Sequence, residues 1–251
     1  MNMDRIDDLM INLVAAAIGF SVARLSSGIQ RALRIRRARR FWHPFVDGKL
    51  YLAFPVFDDA KHTAWDPSGL AGVGDVVALT VVEKHLRSIR LRDYGICYSH
   101  LIAGDQLNSN LVLIAGPDAN RVSRMAMERL PLTFVFNDPD KNDVRILDRT
   151  NERLHCSIGR KESPLTTDFG LIVRAQNPFN RERQILIIAG SYGFGTAAAA
   201  TLATTPAFLK RDIVQQGGSF EALFSVDIVE NVAQEPIVKE FRELNIPVLT
   251  P

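Results

Sequence analysis

The stretches NLVLIAGPDAN (residues 110–120) and QILIIAGSYGFGT (residues 184–196) decide how this chain folds. Each opens with an unbroken apolar run, Asn110–Ala115 and Gln184–Ala189, and neither alternates with polar residues. A strand of that kind must be covered on both faces, which is the pattern of a central parallel strand. Each run then meets a glycine turn and a helical segment, Arg121–Leu130 after the first and Thr196–Thr204 after the second. Strand, glycine turn and helix in repeated order indicate a layered α/β fold.

Working outward, Leu50–Phe57 reads as a first strand. Asp75–Leu91 reads as a helix with Lys84, Arg87 and Arg90 turned to solvent, and Tyr94–Tyr98 as a strand. Leu132–Phe136 and Val144–Leu147 form a hairpin around Asn137–Asn142, expected as antiparallel strands at one edge of the sheet. Leu171–Ala175 joins Gln184–Ala189 through Asn177-Pro178-Phe179-Asn180. Pro206–Gln216 reads as one helix and Phe220–Ile228 as the last long strand. The expected fold class is α/β: a Rossmann-like mixed, mainly parallel sheet with helices on both faces, preceded by an N-terminal membrane-anchor helix.

That anchor rests on Leu9–Ala23 (LMINLVAAAIGFSVA), which carries no charge. Fifteen helical residues span about 22 Å, short of the roughly 30 Å hydrocarbon core. Snorkelling of Arg24, with Leu25 and Ile29 below the interface, extends the reach. The acidic start (Asp4, Asp7, Asp8) argues against a cleavable leader. Seven arginines follow without an acid: Arg24, Arg31, Arg34, Arg36, Arg37, Arg39 and Arg40. By the positive-inside rule they set an N-out, C-in orientation at a bacterial inner membrane, with the body in the cytoplasm. A helix lying in the interface, arginines on anionic headgroups, is the other membrane reading, and a buried core helix the soluble one. Trp42 and Phe45 are expected at the interface, with Pro44 ending the helix. The division expected is 1–45 for anchor and basic segment, and 46–251 for the α/β domain.

Charge excludes one class of function. The first forty residues hold eight of the 30 basic residues and three of the 28 acidic ones, which leaves 22 against 25, a formal −3, on residues 41–251. A mildly acidic body is a poor nucleic-acid surface. Two cysteines, Cys97 and Cys156, are too few for a disulfide framework and suit a reducing compartment.

Three loops share the strand–turn–helix design. They contribute Gly72, Gly74 and Asp75; Gly116, Asp118 and Asn120; and Gly190, Ser191, Gly193, Gly195 and Thr196. In a parallel sheet such loops share the carboxyl edge, where open sheets bind ligands. Glycines admit close backbone approach, and helix N-termini favour anions. These residues are the candidate ligand site, for a small anion and, as a cofactor class, a nucleotide. The alternative is that the glycines serve turn geometry alone. The third loop departs from the dinucleotide fingerprint, and there is no Walker A lysine. Ser191 lies in Gly-Ser-Tyr-Gly, not in a nucleophile elbow. Asp66, Asp75 and Glu83 are the candidates for acid–base work, although Asp75 at a helix start reads first as an N-cap or first-turn residue. Cys97-x-x-His100 and His155-Cys156 do not make a metal site, because adjacent strand residues face opposite ways; buried cysteines and surface histidines are expected instead.

Lys49-Leu50-Tyr51-Leu52-Ala53-Phe54-Pro55 resembles the opening strand of nucleoside 2-deoxyribosyltransferase-like proteins, a Rossmann-type group related in shape to TIR domains. That family carries a nucleophilic glutamate in Asp-x-Gly-Thr-x-x-Glu. Here Gly195-Thr196 match, while Gly193 and Ala199 stand at the two carboxylate positions, so no nucleophile carries over. The order of anchor, arginine run and glycine loops also resembles bacterial membrane-anchored proteins, a likeness that implies no activity. Three functions follow as expectations: a membrane-anchored sensor or effector in signalling or defence that binds a nucleotide-like ligand; a hydrolase of nucleotide or N-glycosidic bonds; or a membrane-proximal scaffold. A membrane and a small anion are the expected partners, with self-association through the anchor.

Overall fold

The computed structural model describes residues 20, 24–26, 28–57, 64, 66, 69–137, 143–159 and 164–246. The strands are β1 (Leu50–Phe54), β2 (Gly95–Tyr98), β3 (Asn110–Ile114), β4 (Phe134–Asn137), β5 (Arg145–Asp148), β6 (Arg153–Cys156), β7 (Thr167–Asn177), β8 (Asn180–Gly190), β9 (Phe220–Val229), β10 (Val232–Ala233) and β11 (Ile237–Glu243). The helices are α1 (residues 28–42), α2 (Val73–Ser88), α3 (Gly104–Leu107), α4 (Arg121–Met127), α5 (Gly193–Thr204), α6 (Pro206–Leu209) and α7 (Asp212–Gln216).

The main sheet runs β10-β9-β7-β8-β3-β1-β2, with β11 also paired to β9. β2, β1, β3 and β8 are mutually parallel. β7, β9, β10 and β11 complete the sheet by antiparallel pairing. The apolar runs 110–115 and 184–189 are indeed neighbouring parallel strands, and β3 is buried at every position. The reason is visible in the two cores. Val112, Ile114, Leu186 and Ile188 pack under α1, α2 and α5 on one face. Leu111, Leu113, Ile185 and Ile187 pack with Val122 and Ala126 of α4 on the other. The fold is therefore a mixed α/β sheet with helices on both faces, of Rossmann-like form.

Several expectations change. The 132–147 hairpin exists as β4–β5, but it joins β6 in a separate three-stranded sheet and does not extend the main one. A buried polar knot ties this small sheet to β9 and β11. Glu221 accepts the N–H groups of Thr133 and Phe134 at 3.0 and 3.1 Å and the Thr133 hydroxyl. Arg242 donates to both oxygens of Asp148 at 2.8 and 2.6 Å and holds that carboxyl well below the usual range. Phe220–Val229 is not the last strand, since β10 and β11 follow it. The 206–216 segment is two short helices, because Thr205 caps one and Arg211 starts the next.

Leu9–Ala23 lies outside the described residues except for Phe20. Among the described residues no helix is long and apolar enough to cross a membrane. Trp42 and Phe45 are core residues, not interfacial ones. Phe41 and Phe45 are wholly buried, Trp42 is 1% exposed, and their rings pack at 5.2–6.3 Å. The core thus reaches back across residue 45 to Ala38. The opposite side of α1 stays exposed, with Ile29 and Leu33 beside Arg36 and Arg40.

Candidate functional site at the carboxyl edge of the parallel strands

The three glycine loops leave the carboxyl ends of β1, β3 and β8, and they touch. β1 and β8 send α2 and α5 to one face, while β3 between them sends α4 to the other. Helix side switches on both flanks of β3, and strand order reverses between β1 and β3, the switch point at which such sheets open a crevice. At the end of β3, Ala115 holds φ 76°. A non-glycine residue there carries strain of about 1–3 kcal/mol. Two bonds enforce it: Ala115 donates its N–H to the Ile188 carbonyl at 2.9 Å, and its own carbonyl accepts the Ser123 hydroxyl at 2.8 Å.

Most of the predicted glycines are consumed by contacts between loops. A Cβ on Gly74 would lie 2.1 Å from the Gly193 carbonyl oxygen, so α2 and α5 cross backbone to backbone. One on Gly190 would lie 2.2 Å from the Thr196 nitrogen, and one on Gly195 would lie 2.6 Å from the Phe169 oxygen. Gly72 leaves room for the Asp75 carboxylate, and Gly116 faces Asp118 and the Gly190 carbonyl. Asn120 is fully used as well. Its Oδ1 accepts the N–H groups of Val122 and Ser123, capping α4, and its Nδ2 donates to the carbonyls of Ala53 and Ile114. It clamps the ends of β1 and β3 together.

The N-terminus of α5 already has an anion. Asp168, fully buried on β7, accepts the Gly195 N–H at 2.6 Å, the Phe169 N–H at 2.8 Å, the Ser157 hydroxyl at 2.9 Å and the Tyr192 N–H. Burial pushes its carboxyl up to about 6, against the pull of those donors. Two N–H groups at this helix start, those of Tyr192 and Gly195, are thus held by the protein's own carboxylate. Ser191 is 2% exposed, and its hydroxyl has no partner among the described residues.

Asp75 is the predicted acid that the structure brings into this cluster. It sits in the first turn of α2, 5% exposed. Burial, and after it the nearby Asp118, raise its carboxyl to about 6 against the opposing hydrogen bond from Thr196. A buried acid poised near neutrality among the three loops is a candidate for proton transfer. Glu83 is elsewhere, about 12 Å further along the helix, where it accepts from Tyr94 at 2.9 Å and Arg87 at 3.2 Å. Asp66 is exposed in the loop before Gly69.

Open space lies beside the second loop. One chamber of about 390 Å³ is lined by Phe57, Ser99, His100, Asp118, Arg121 and Arg124. Its neighbour, about 380 Å³, is lined by Met127, Val135, Phe136 and Val144, and again by Asp118 and Arg124. Arg124 is fixed by donating its Nε–H to the Pro117 carbonyl at 2.8 Å, and the buried Nδ1 of His100 has no partner among the described residues. Arg121 and Arg124 were not among the residues singled out from the sequence, and His100 was weighed there only as a metal ligand. The signal was present, since Ser99-His100 follow parallel strand β2 and the two arginines open the helix after Gly116–Asn120. Asp168 had no such local signal. The histidine and cysteine expectation is reversed at β6, where His155 is buried and Cys156 exposed. No protein-family model matches this chain, and no curated protein matches it in sequence.

Proposed function

We propose that this chain is a membrane-attached module that binds a nucleotide-like anion in the paired chambers around Asp118 and Arg124, acting as a sensor or effector in bacterial signalling or defence. The observation that carries the reading is the shared wall. A polar chamber with His100, Arg121 and Arg124 suits phosphate, and the chamber beyond it, with Met127, Val135 and Phe136, suits an aromatic ring. Each volume falls in the range of small-molecule sites, and Arg124 touches both. Attachment follows from Leu9–Ala23 and the arginine run, with the body on the cytoplasmic side and neighbouring copies brought together by the anchor.

The test is a thermal-shift screen of the full chain with nucleotides, dinucleotide cofactors and cyclic oligonucleotides. A saturable rise in melting temperature is expected. Arg124→Met should weaken the effective compound about 10- to 100-fold, the loss of one charged hydrogen bond. No shift from any compound at millimolar concentration removes this reading in favour of a scaffold. Asp75 favours a second reading, hydrolysis of a nucleotide or N-glycosidic bond. In that case Asp75→Asn abolishes turnover of the bound compound while leaving its affinity in place.

A further inference from the structure

α1 and the turn after it meet the body along one side only. Ala38, Phe41, Trp42 and Phe45 enter the core, whereas every residue from 28 to 34 is exposed. Ile29 and Ala38 are nine residues apart, as are Leu33 and Trp42. Nine residues make about two and a half turns, so the members of each pair lie on opposite sides of the helix. The outer side carries a row of apolar residues. Leu25, just before α1, Ile29 and Leu33 follow one another at spacings of four and are 43–66% exposed. Arg36 and Arg40 continue the same row. The helix therefore presents an apolar and basic face directly away from its own core, uncovered by any of the described residues.

The body beside α1 is basic as well. Arg39 donates its Nε–H to the Ile89 carbonyl at 3.0 Å, where α2 ends. Gln215 donates to the carbonyls of Arg37 and Leu209 at 3.3 and 2.6 Å. Arg90 and Lys210, the residues after Ile89 and Leu209, are both exposed next to these contacts. Positive charge thus gathers at the α1 end of a body that is otherwise acidic, a polarity that orients a protein at a charged surface.

We infer that the outer face of α1 docks on an anionic bilayer, with Leu25, Ile29 and Leu33 entering the headgroup region and Arg36 and Arg40 on lipid phosphates. Charge selects this occupant. A second copy of the same face would set seven arginines, with no acid between residues 24 and 40, against seven more, and like charges brought together oppose such pairing. Anionic headgroups instead attract every basic residue within a Debye length of about 8 Å. The docking is a second membrane contact, resting on the attachment proposed above only to bring the chain to a bilayer. Its consequence is orientation. α1 packs at the His85–Ile89 end of α2, about 15 Å along that helix from Asp75, so the ligand loops face away from the lipid.

The full chain with Cys97→Ser and Cys156→Ser takes an environment-sensitive nitrobenzoxadiazole label on one introduced cysteine. Leu33→Cys reports the docking face, and Val73→Cys, exposed at the ligand edge, is the control. Each protein is inserted into phosphatidylcholine vesicles with or without phosphatidylglycerol. With phosphatidylglycerol the label at 33 should brighten and be quenched by spin-labelled lipid, and potassium chloride should reverse both effects. The label at 73 should stay in water on either vesicle. Arg36→Gln with Arg40→Gln should weaken docking about fivefold per charge, and Arg90→Gln with Lys210→Gln by less, since these two stand further from the lipid. All four residues are exposed, and a urea midpoint equal to the parent's checks that each variant folds. Flotation with pure phosphatidylcholine vesicles reads the attachment through residues 9–23 separately. Its failure removes that attachment, while phosphatidylglycerol-dependent burial of the label still supports the docking. The inference is overturned if the label at 33 stays in water on phosphatidylglycerol vesicles, is buried equally on neutral ones, or responds unchanged after the arginine substitutions. Burial of that label in detergent that grows with protein concentration also overturns it, in favour of a second copy.

Discussion

Replacing Asp75 by asparagine should make the protein more stable at neutral pH, because the fold retains this carboxylate at a thermodynamic cost. In the unfolded chain Asp75 ionises at its ordinary value of 3.8, and in the fold at about 6. Burial is the main cause, and Asp118 adds repulsion. Below pH 3.8 the group is protonated in both states and carries no penalty. Between pH 3.8 and 6 the unfolded state loses its proton first, so stability falls. Above pH 6 the loss is constant, at about 3 kcal/mol for a difference of roughly two pH units. Asparagine keeps an oxygen for the Thr196 hydroxyl and does not ionise. Allowing for a weaker acceptor, Asp75→Asn should gain about 1–3 kcal/mol at pH 7.5 and little at pH 4. With a urea slope of about 2 kcal/mol per molar, the unfolding midpoint should rise by about 0.5–1.5 M. Circular dichroism across pH 4–7.5 gives both curves. A variant no more stable than the parent at pH 7.5, or one whose offset is the same at both pH values, refutes the reasoning. A gain confined to neutral pH fits an acid kept for the site and not for the fold.

Asn120→Ala removes a cap worth about 1 kcal/mol and strands two buried carbonyls at about 1–3 kcal/mol each. Urea unfolding should show a loss of about 3–5 kcal/mol, while ligand affinity of the folded fraction stays unchanged; the opposite pattern would make Asn120 a contact residue. Gly74→Ala places a methyl against the Gly193 carbonyl and should cost about 1–3 kcal/mol. Gly193→Ala meets nothing closer than 3.4 Å and should shift stability by less than about 0.5 kcal/mol. Equal effects at the two positions would contradict the helix crossing described above.

The central strands and the edge that carries the site were legible from residues close together in the chain. Burial on both faces leaves an uninterrupted apolar run, so 110–115 and 184–189 identified β3 and β8 and set three loops at one edge. Asp75 in the first turn of its helix was legible for the same local reason. Trp42 and Phe45 were misread because aromatics after an arginine run have the same composition in a core as at a membrane surface. Only the packing of α1 against the sheet distinguishes the two.

What the sequence alone determined was the central strands, the helices that follow them and the glycine turns between, since periodicity and turn chemistry act over a few residues. What the tertiary structure decided was which groups those turns meet. Asp168 reaches the N-terminus of α5 because β7 pairs antiparallel with β8, bringing an acid 27 residues away onto the Gly195 N–H. The same convergence packs Gly74 on Gly193 and moves the open space to Arg121, Arg124 and His100. Strand pairing couples residues distant in the chain, and no local pattern encodes its outcome.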